Sequence, residues 1–272
     1  MGEEGRNTAD IRIALLTEYD GTDFVGFQRQ DNGRSVQQTL EEAVEKVYGR
    51  FCRIYGCSRT DSGVHARGHV SHVDVPFPIP EEKIPLALNA VLDDDLVVLA
   101  AKEVPETFHA RFNSKGKRYC YRVRNAKVPS AIDRRTEAFV PGVLDVKAMD
   151  DAAKAFIGTH DFSAFRAQGG PDITPIRTMK DVYVRRAEGD PDLIEITVIG
   201  ESFLYNMVRI MAGTLVYVGQ GKMTKTEIEK LLTGEGVRKE AGKTMPAKGL
   251  TLEEVFYDDS CKLGAFPVLS RE

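Results

Sequence analysis

The spacing of apolar residues predicts six secondary-structure elements between residues 11 and 103. Residues 11–19, IRIALLTEY, are apolar and β-branched and end at a turn signal, Asp20-Gly21, which is typical of a strand. Ser35, with Gln38 three residues later, precedes apolar residues at helical spacing and is predicted to cap a helix. The other elements are predicted to be strands at 51–56, 69–75 and 96–103 and a helix at 80–92. The predicted order is βαββαβ.

The same order recurs in the rest of the chain, which indicates two similar halves. The predicted strands lie at 118–124, 176–186, 193–200 and 250–257, and the predicted helices lie at 146–157, 203–218 and 224–232. This pattern favours an α+β protein of two split-βαβ (ferredoxin-like) halves, 11–105 and 106–257, whose sheets meet around a central cleft. Residues 1–10 and 258–272 lack periodicity and are expected to be a loose N-terminal segment and a C-terminal tail.

The composition is that of a globular protein and excludes several other classes. Hydrophobic residues make up 42% of the 272 residues and charged residues 29%, so whole-chain disorder, collagen and coiled coil are excluded. The chain has 37 Lys and Arg residues against 41 Asp and Glu residues, a net charge of −4 that does not by itself indicate nucleic-acid binding. A local basic surface can still attract a polyanion.

Cysteine usage and the apolar stretches favour a cytoplasmic protein without a membrane span. The chain has four cysteines, Cys52, Cys57, Cys120 and Cys261. Their spacing is not that of a zinc site, and their density is too low for a secreted disulfide scaffold. The first ten residues are polar and acidic, unlike a signal peptide. The longest apolar stretch, 203–218, is about a turn too short to span a membrane and contains Asn206 and Arg209.

Two other patterns resemble binding sites but fit them poorly. Residues 236–244, GVRKEAGKT, resemble a phosphate-binding loop, but they have five residues instead of four between the glycines and follow a predicted helix. A basic surface loop is the better interpretation. His65, His69 and His72 lie close together, but no cysteine or second carboxylate completes a zinc-binding set. We interpret them as histidines beside a polar site or on an exposed strand face, and we expect no metal.

The stretch with the most unusual composition is 56–72, GCSRTDSGVHARGHVSH, which joins two predicted strands. It concentrates Arg59, Asp61 and several other polar residues between glycines. One interpretation is a solvated surface loop with an Asx turn at Asp61. The other is a functional site built from these side chains, and composition alone leaves both open.

Arg209 stands in the middle of the apolar stretch 203–218, which is predicted to form a buried helix. A buried guanidinium needs a carboxylate or an anionic ligand to offset its desolvation. Glu201 lies about two turns away, beyond the usual pairing distance along a helix, so the partner is expected from elsewhere in the fold. Arg209 therefore either forms a structural ion pair or points into the cleft and holds a catalytic acid.

Residues 115–124, KGKRYCYRVR, alternate basic and aromatic side chains along a predicted strand. The arginines would lie on one face with Cys120, and Tyr119, Tyr121 and Val123 would lie on the other. Such interleaving suits RNA, whose bases stack on rings and whose phosphates contact arginine. The alternative is an aromatic core pair with a solvated basic face.

Six ordered segments resemble the motifs of the TruA family of tRNA pseudouridine synthases, and together they cover nearly the whole chain. They are YDGTDFVGFQRQ at 19–30, GCSRTDSGVHA at 56–66, FHARFNSKGKRYCY at 108–121, HDFSAF at 160–165 with Arg177-Thr178 after it, FLYNMVRIMAGTL at 203–215 and MPAKGL at 245–250. Ser58, Ser62 and Met245 depart from the residues common in the family, and all three flank the chemistry.

The resemblance implies a pseudouridine-synthase fold and an isomerase that converts uridine to pseudouridine in the tRNA anticodon stem-loop, at roughly positions 38–40. It also implies a homodimer that uses one aspartate, no metal and no organic cofactor. Carried over by position, Asp61 is the catalytic aspartate, Tyr119 contacts the target base, and Arg59, Arg209 and Leu250 line the pocket.

The chemistry of the residues agrees with these implied roles. A uridine in a stem must be flipped out before a side chain reaches its sugar, and a ring such as Tyr119 can stack on the flipped base. Arg59 would fill the gap or hold a phosphate, and Arg209 would keep Asp61 ionised through its opposite charge. Attack on the ribose, attack on the base and proton removal by Asp61 all stay open.

Two other classes of protein remain as alternatives. A non-catalytic RNA-binding module would keep the basic and aromatic residues but would not need Asp61. A glycoside hydrolase needs two carboxylates flanking the bond, and the loop supplies only Asp61, which counts against this class.

Overall fold

A computed structural model describes residues 10–170 and 173–266 of the chain. Its strands and helices, in chain order, are β1 Ile11–Tyr19, α1 Val36–Tyr48, β2 Ile54–Gly56, β3 His65–Val75, α2 Ile84–Asn89, β4 Leu96–Glu103, β5 Gly116–Arg124, β6 Ala138–Phe139, α3 Val146–Ala153, β7 Gly158–Asp161, β8 Ile176–Ala187, β9 Asp190–Gly200, α4 Met207–Gly219, α5 Lys225–Leu231 and β10 Leu250–Phe256. Helices combined with mainly antiparallel strands confirm the predicted α+β class.

The chain divides into two compact units, which are described separately. The first unit is Met1–Lys115 with Leu252–Glu272, and the second unit is Gly116–Thr251. The predicted halves, 11–105 and 106–257, stay a prediction.

The first unit has the strand order β4-β1-β3-β10, with β2 paired to β3. The central strand β1 is antiparallel to both β3 and β4, and its Leu15 lies opposite Ser71 and Ala101. Helix α1 begins as predicted after Ser35, whose Oγ accepts a hydrogen bond from Gln38 N at 3.3 Å. The elements β1 to β4 follow the predicted βαββαβ order.

Three predicted elements in the first unit have wrong boundaries, and the first of them, β2, begins at Ile54 instead of residue 51. Strand β3 begins at His65, four residues before the predicted start, because its polar first residues pair with β1 through Ala66 and show no apolar pattern. The predicted helix 80–92 ends at Asn89, whose side chain accepts from Val98 N at 2.8 Å and donates to Val98 O at 2.9 Å. These two bonds fix the end of α2 to β4.

The second unit has the strand order β5-β9-β8-β7, with β6 parallel to β5. Side chains cap two of its helices: Asp145 accepts from Ala148 N at the start of α3, and Thr224 and Glu227 form a reciprocal capping box at the start of α5. Strands β6 and β7 were not predicted because two and four residues are too few to show periodicity.

The N-terminal end of α4 also differs from the prediction. The helix begins at Met207 instead of Phe203, because Asn206 adopts the left-handed conformation with φ 59° and ψ 10°. A right-handed helix cannot continue through such a residue. From Met207 onward the helix is largely buried, as predicted.

The looseness predicted for both ends of the chain stays a prediction, although the described part of the C-terminal tail contains buried residues. Cys261 and Leu263 are buried there. Of the N-terminal segment 1–10, only Asp10 lies within the described residues. In 10–170 and 173–266 no helix is both long and apolar enough to cross a membrane, and none of the four cysteines there forms a disulfide.

Candidate active site

Asp61 lies in a loop that is bonded through its backbone to a second loop of the first unit. We call residues 57–64 the Asp61 loop and residues 20–30 the facing loop. Phe27 N donates to Thr60 O at 3.1 Å, and Gly26 and Asp61 form an isolated antiparallel bridge. The position of the Asp61 backbone is therefore set by the facing loop.

Two glycines of the facing loop make this close approach possible. A Cβ at Gly26, whose φ is +116°, would lie 2.7 Å from Thr60 O. A Cβ at Gly21 would lie 2.0 Å from Val64 O. Both contacts are with backbone that cannot move aside, so any side chain at these positions would separate the two loops.

Buried polar side chains also hold the Asp61 loop, on the side that faces the core of the first unit. The hydroxyls of Thr60 and Tyr19 share a buried hydrogen bond of 2.8 Å. His69 Nε2 lies 3.1 Å from Ser58 O, and the His69 ring stacks on Phe27 at 4.2 Å between ring centroids. These contacts brace the loop on the side that faces the core.

The remaining two histidines of the cluster are also structural. His65 Nδ1 lies 3.0 Å from Gly21 N, which donates to it when this nitrogen is unprotonated. His72 Nδ1 accepts from Ala110 N at 3.2 Å, and burial, together with the nearby Arg12 guanidinium, lowers the pKa of His72 to about 3. All three histidines are buried, so the expectation of an exposed strand face is wrong. No described group of three or more His, Cys, Asp or Glu side chains is arranged to hold a metal.

Asp61 is half-buried, while Arg59 two residues earlier is exposed. The turn after Asp61 is closed by a hydrogen bond of 3.1 Å from Val64 N to Asp61 O, and Gly63 supplies the left-handed conformation with φ +76°. The loop thus presents one carboxylate from a fixed backbone, with an exposed guanidinium beside it.

The other predicted site residues, Tyr119, Arg209 and Leu250, belong to the second unit. Tyr119 is only 6% exposed, and its ring packs edge-to-face on Phe203 at 5.0 Å between centroids. Leu250 is buried at the start of β10. The structure therefore gives Tyr119 a fixed ring orientation.

Arg209 is held within the second unit by neutral acceptors. Its Nε donates to Met245 O at 2.7 Å, and its Nη1 donates to the side-chain oxygen of Asn206. Met245 N in turn donates to Arg209 O at 3.3 Å. The predicted pairing of Arg209 with Asp61 stays a prediction. Sequence reasoning missed Asn206 and Met245, although asparagine is one of the few residues other than glycine that are enriched in the left-handed conformation.

The segment that carries Met245 is pressed against helix α4. A Cβ at Gly213 would lie 1.9 Å from Lys243 O, and a Cβ at Gly242 would lie 2.2 Å from Thr214 N. Gly242 N donates to Thr214 Oγ1 at 2.8 Å. The prediction of a surface loop at 236–244 is therefore wrong at its end, where the backbone forms part of the support for Arg209.

The basic face predicted for β5 is not a free basic surface throughout. Arg124 donates to Glu137 from Nε at 2.7 Å and from Nη2 at 2.8 Å, and its Nη1 donates to Asp190 at 2.7 Å. These bonds raise the pKa of Arg124 and neutralise its charge. Arg122 Nε lies 3.7 Å from a Glu195 carboxylate oxygen. The prediction of a solvated basic face is therefore wrong at this end of β5.

Comparisons with known proteins point to the same family as the sequence motifs. A family model described as tRNA pseudouridine synthase matches residues 15–113 and 152–258. "tRNA pseudouridine synthase A" of Ruminiclostridium cellulolyticum is 45% identical over 90% of this chain and 99% of that protein. The protein of the same name from Acetivibrio thermocellus is 44% identical, again over 90% and 99%.

Solved structures give a weaker match. A chain of a Cbf5-Nop10-Gar1 complex is 11% identical, with a TM-score of 0.33 over 91% of this chain and 59% of that chain, and adds nothing to the assignment. The family model covers most of the chain and includes both the Asp61 loop and the helix of Arg209. The chain therefore belongs to the tRNA pseudouridine synthase family.

Proposed function

We propose that this chain converts uridine to pseudouridine in the anticodon stem-loop of tRNA, at roughly positions 38–40, with Asp61 as the catalytic carboxylate. Family membership supports the general reaction. The observation that supports the role of Asp61 is the backbone bridge, with its neighbouring hydrogen bond, between the Asp61 loop and the facing loop. Catalytic groups need a fixed geometry. The backbone of the Asp61 loop is fixed by these contacts although the loop is not a strand of the sheet.

The reaction exchanges one bond to the ribose for another. The bond between N1 of uracil and C1′ of ribose breaks, and a bond between C5 and C1′ forms. C5 loses its hydrogen as a proton, and N1 gains one. Because nothing is oxidised or reduced, the proposal invokes no cofactor. An ionised Asp61 can attack the ribose, attack the base or remove the C5 proton.

The other predicted residues have supporting roles in the proposal. Arg59 is exposed next to Asp61 and can fill the gap left by the flipped uridine or hold a phosphate. Tyr119 and Leu250 contact the base, and Arg209 keeps Asp61 ionised. The active form is a homodimer in the cytoplasm. Light scattering at micromolar concentration should give twice 30.2 kDa, and a monomer would contradict this part.

The decisive assay is tritium release from tRNA that carries [5-³H]uridine. Wild-type protein should release tritium, and Asp61→Asn should release none while still binding tRNA, because an amide keeps the shape but is neither nucleophile nor base. Asp23→Asn is the matched control, since Asp23 is an exposed aspartate of the facing loop.

Three results would contradict the proposal in different ways. Activity of Asp61→Asn above a tenth of wild type would remove Asp61 from catalysis. Wild-type binding without tritium release would favour the RNA-binding module. A pseudouridine map of cellular tRNA, with and without the protein, that shows no loss near positions 38–40 would refute the proposed target.

A further inference from the structure

Glu41 of α1 is an acidic residue in the interior of the first unit that the proposed reaction does not use. It is 1% exposed. Its Oε2 accepts from Arg29 Nη1 at 3.1 Å, and its Oε1 accepts from Gln37 Nε2 at 3.0 Å and from Ile54 N at 3.3 Å. A carboxylate is stable in the interior only when its oxygens are paired. Glu41 therefore ties together the facing loop, α1 and β2, which supply these donors.

Gln37, one turn before Glu41 on the same helix, joins the same segments a second time. It is 7% exposed. Its Oε1 accepts from Arg29 N at 3.0 Å, and its Nε2 donates to Ile54 O at 3.0 Å as well as to Glu41. Its backbone N donates to Phe27 O at 2.8 Å. The two side chains thus pair with both backbone groups of Ile54 and hold the end of the facing loop against α1.

Both of the joined segments continue directly to the Asp61 loop. Strand β2 ends at Gly56, and the Asp61 loop begins at the next residue. On the facing loop, Phe27 N donates to Thr60 O at 3.1 Å, next to Asp61. A Cβ at Gly56 would lie 2.3 Å from the Phe27 ring, so β2 and the facing loop are in close contact. A change in the spacing of these two segments would therefore be transmitted to the backbone that carries Asp61.

We propose that Glu41 and Gln37 are positioning residues, which set the spacing between the facing loop and β2 and through it the position of Asp61. The proposal rests on the proposed function only in taking Asp61 as the reacting carboxylate. A displacement of about 1 Å at a reacting group can lower a rate about a hundredfold. The pair should therefore act on kcat, whereas the affinity for RNA should not depend on it.

The first test variant is Glu41→Gln in the full-length protein, because it breaks one of the three contacts and keeps the other two. The amide oxygen can still accept from Gln37 and Ile54, whereas the amide nitrogen would meet the Arg29 guanidinium as donor against donor. We expect kcat for tritium release to fall about tenfold or more. KM, and the Kd for an unmodified anticodon stem-loop RNA, should stay unchanged.

The matched control, Glu42→Gln, lies one residue further along the same helix. Glu42 accepts from Gln38 Nε2 at 2.8 Å, again four residues apart, but this pair is exposed, so kcat should stay unchanged. Arg29→Met breaks the ion pair from its half-exposed side and serves as the second variant if Glu41→Gln fails to fold in a thermal unfolding control. The effects of Arg29→Met and Glu41→Gln on kcat should not add in the double variant, because each breaks the same contact. Additive losses would contradict the link.

Hydrogen exchange separates this inference from the proposed function. The amide of Phe27, which donates to Thr60 O, should exchange faster in Glu41→Gln than in wild type or in Glu42→Gln. An unchanged kcat in folded Glu41→Gln overturns the inference, as does a raised KM with an unchanged kcat, which would assign the pair to RNA binding. If the wild-type protein releases no tritium, the proposed function is refuted. Faster exchange in Glu41→Gln would then still support the positioning role, and an unchanged exchange rate would overturn it.

Discussion

Asn206 combines a left-handed backbone with a hydrogen bond to Arg209, and substitutions can separate these two features. Its φ is 59°, and its side-chain oxygen accepts from Arg209 Nη1. Asn206→Gly removes the acceptor but suits the backbone. Asn206→Ala removes the acceptor and also places a Cβ in a conformation that costs an ordinary residue about 1 kcal/mol. Asn206→Asp keeps the acceptor.

The magnitudes follow from these differences. A hydrogen bond from a charged donor contributes about 1.5–3 kcal/mol when buried. Arg209 and Asn206 are half-buried, so water can replace part of the bond, and we expect a loss of about 1 kcal/mol. The free energy of unfolding should therefore fall by about 1 kcal/mol in Asn206→Gly and about 2 kcal/mol in Asn206→Ala, and change little in Asn206→Asp.

Activity should follow the acceptor rather than the stability. The Gly and Ala variants both leave Arg209 without its Asn206 contact, so kcat for tritium release should fall to a similar extent in both. The Asp variant should retain most activity. Urea unfolding and single-turnover kinetics on the same preparations give the two quantities. Equal stability of the Gly and Ala variants would refute the backbone argument, and full activity of Asn206→Gly would show that the Asn206 contact does not position Arg209.

Two further predictions concern the support of each unit. Gly213→Ala should destabilise the protein by about 2 kcal/mol or more, because its Cβ would lie 1.9 Å from Lys243 O. Neither the backbone of Lys243 nor the backbone of α4 can move aside easily. Gly219→Ala in the same helix meets the flexible Met149 side chain instead and should cost less; a ranking in the opposite order would contradict this reasoning. His72, with its pKa lowered to about 3, stays neutral in the folded state while the unfolded state binds a proton below about pH 6.5, so stability should fall as pH falls from about 6.5. The contribution of His72 to the slope of unfolding free energy against pH should approach 1.4 kcal/mol per pH unit, and His72→Asn should lack this contribution. Identical pH profiles of the two proteins would refute the prediction.

Much of the fold could be predicted because its elements carry local signals. Strand β1 is a β-branched run, and Asp145 and Thr224 cap helices as their side chains require. The misses have physical reasons of another kind. Strand β3 gains its first residues by pairing with β1, and α4 begins late because one residue, Asn206, leaves the helical region. Neither event leaves a pattern of apolar residues in the sequence.

The candidate site was predicted less completely, because its contacts join residues that are distant in sequence. The sequence motifs identified Asp61 and Arg209. They did not show that Tyr19 braces the Asp61 loop or that the Met245 carbonyl accepts a hydrogen bond from Arg209. The acids that neutralise Arg124 are 13 and 66 residues away from it in the sequence. The alternation along β5 therefore indicated a basic face at a position where the folded chain pairs the arginine with two carboxylates.

The two loops around Asp61 show why a polar, glycine-containing stretch can hold a side chain at its surface as firmly as a core strand does. On one side of Asp61, the carbonyl of Thr60 accepts from Phe27 and its hydroxyl is bonded to Tyr19. On the other side, Val64 closes a turn onto the carbonyl of Asp61 itself. The backbone is thus fixed on both sides, and only the two side-chain torsions of the aspartate remain to be set. A rigid backbone leaves little entropy to be lost when a substrate fixes those torsions, and this is the condition under which one carboxylate can supply a large part of the catalytic effect.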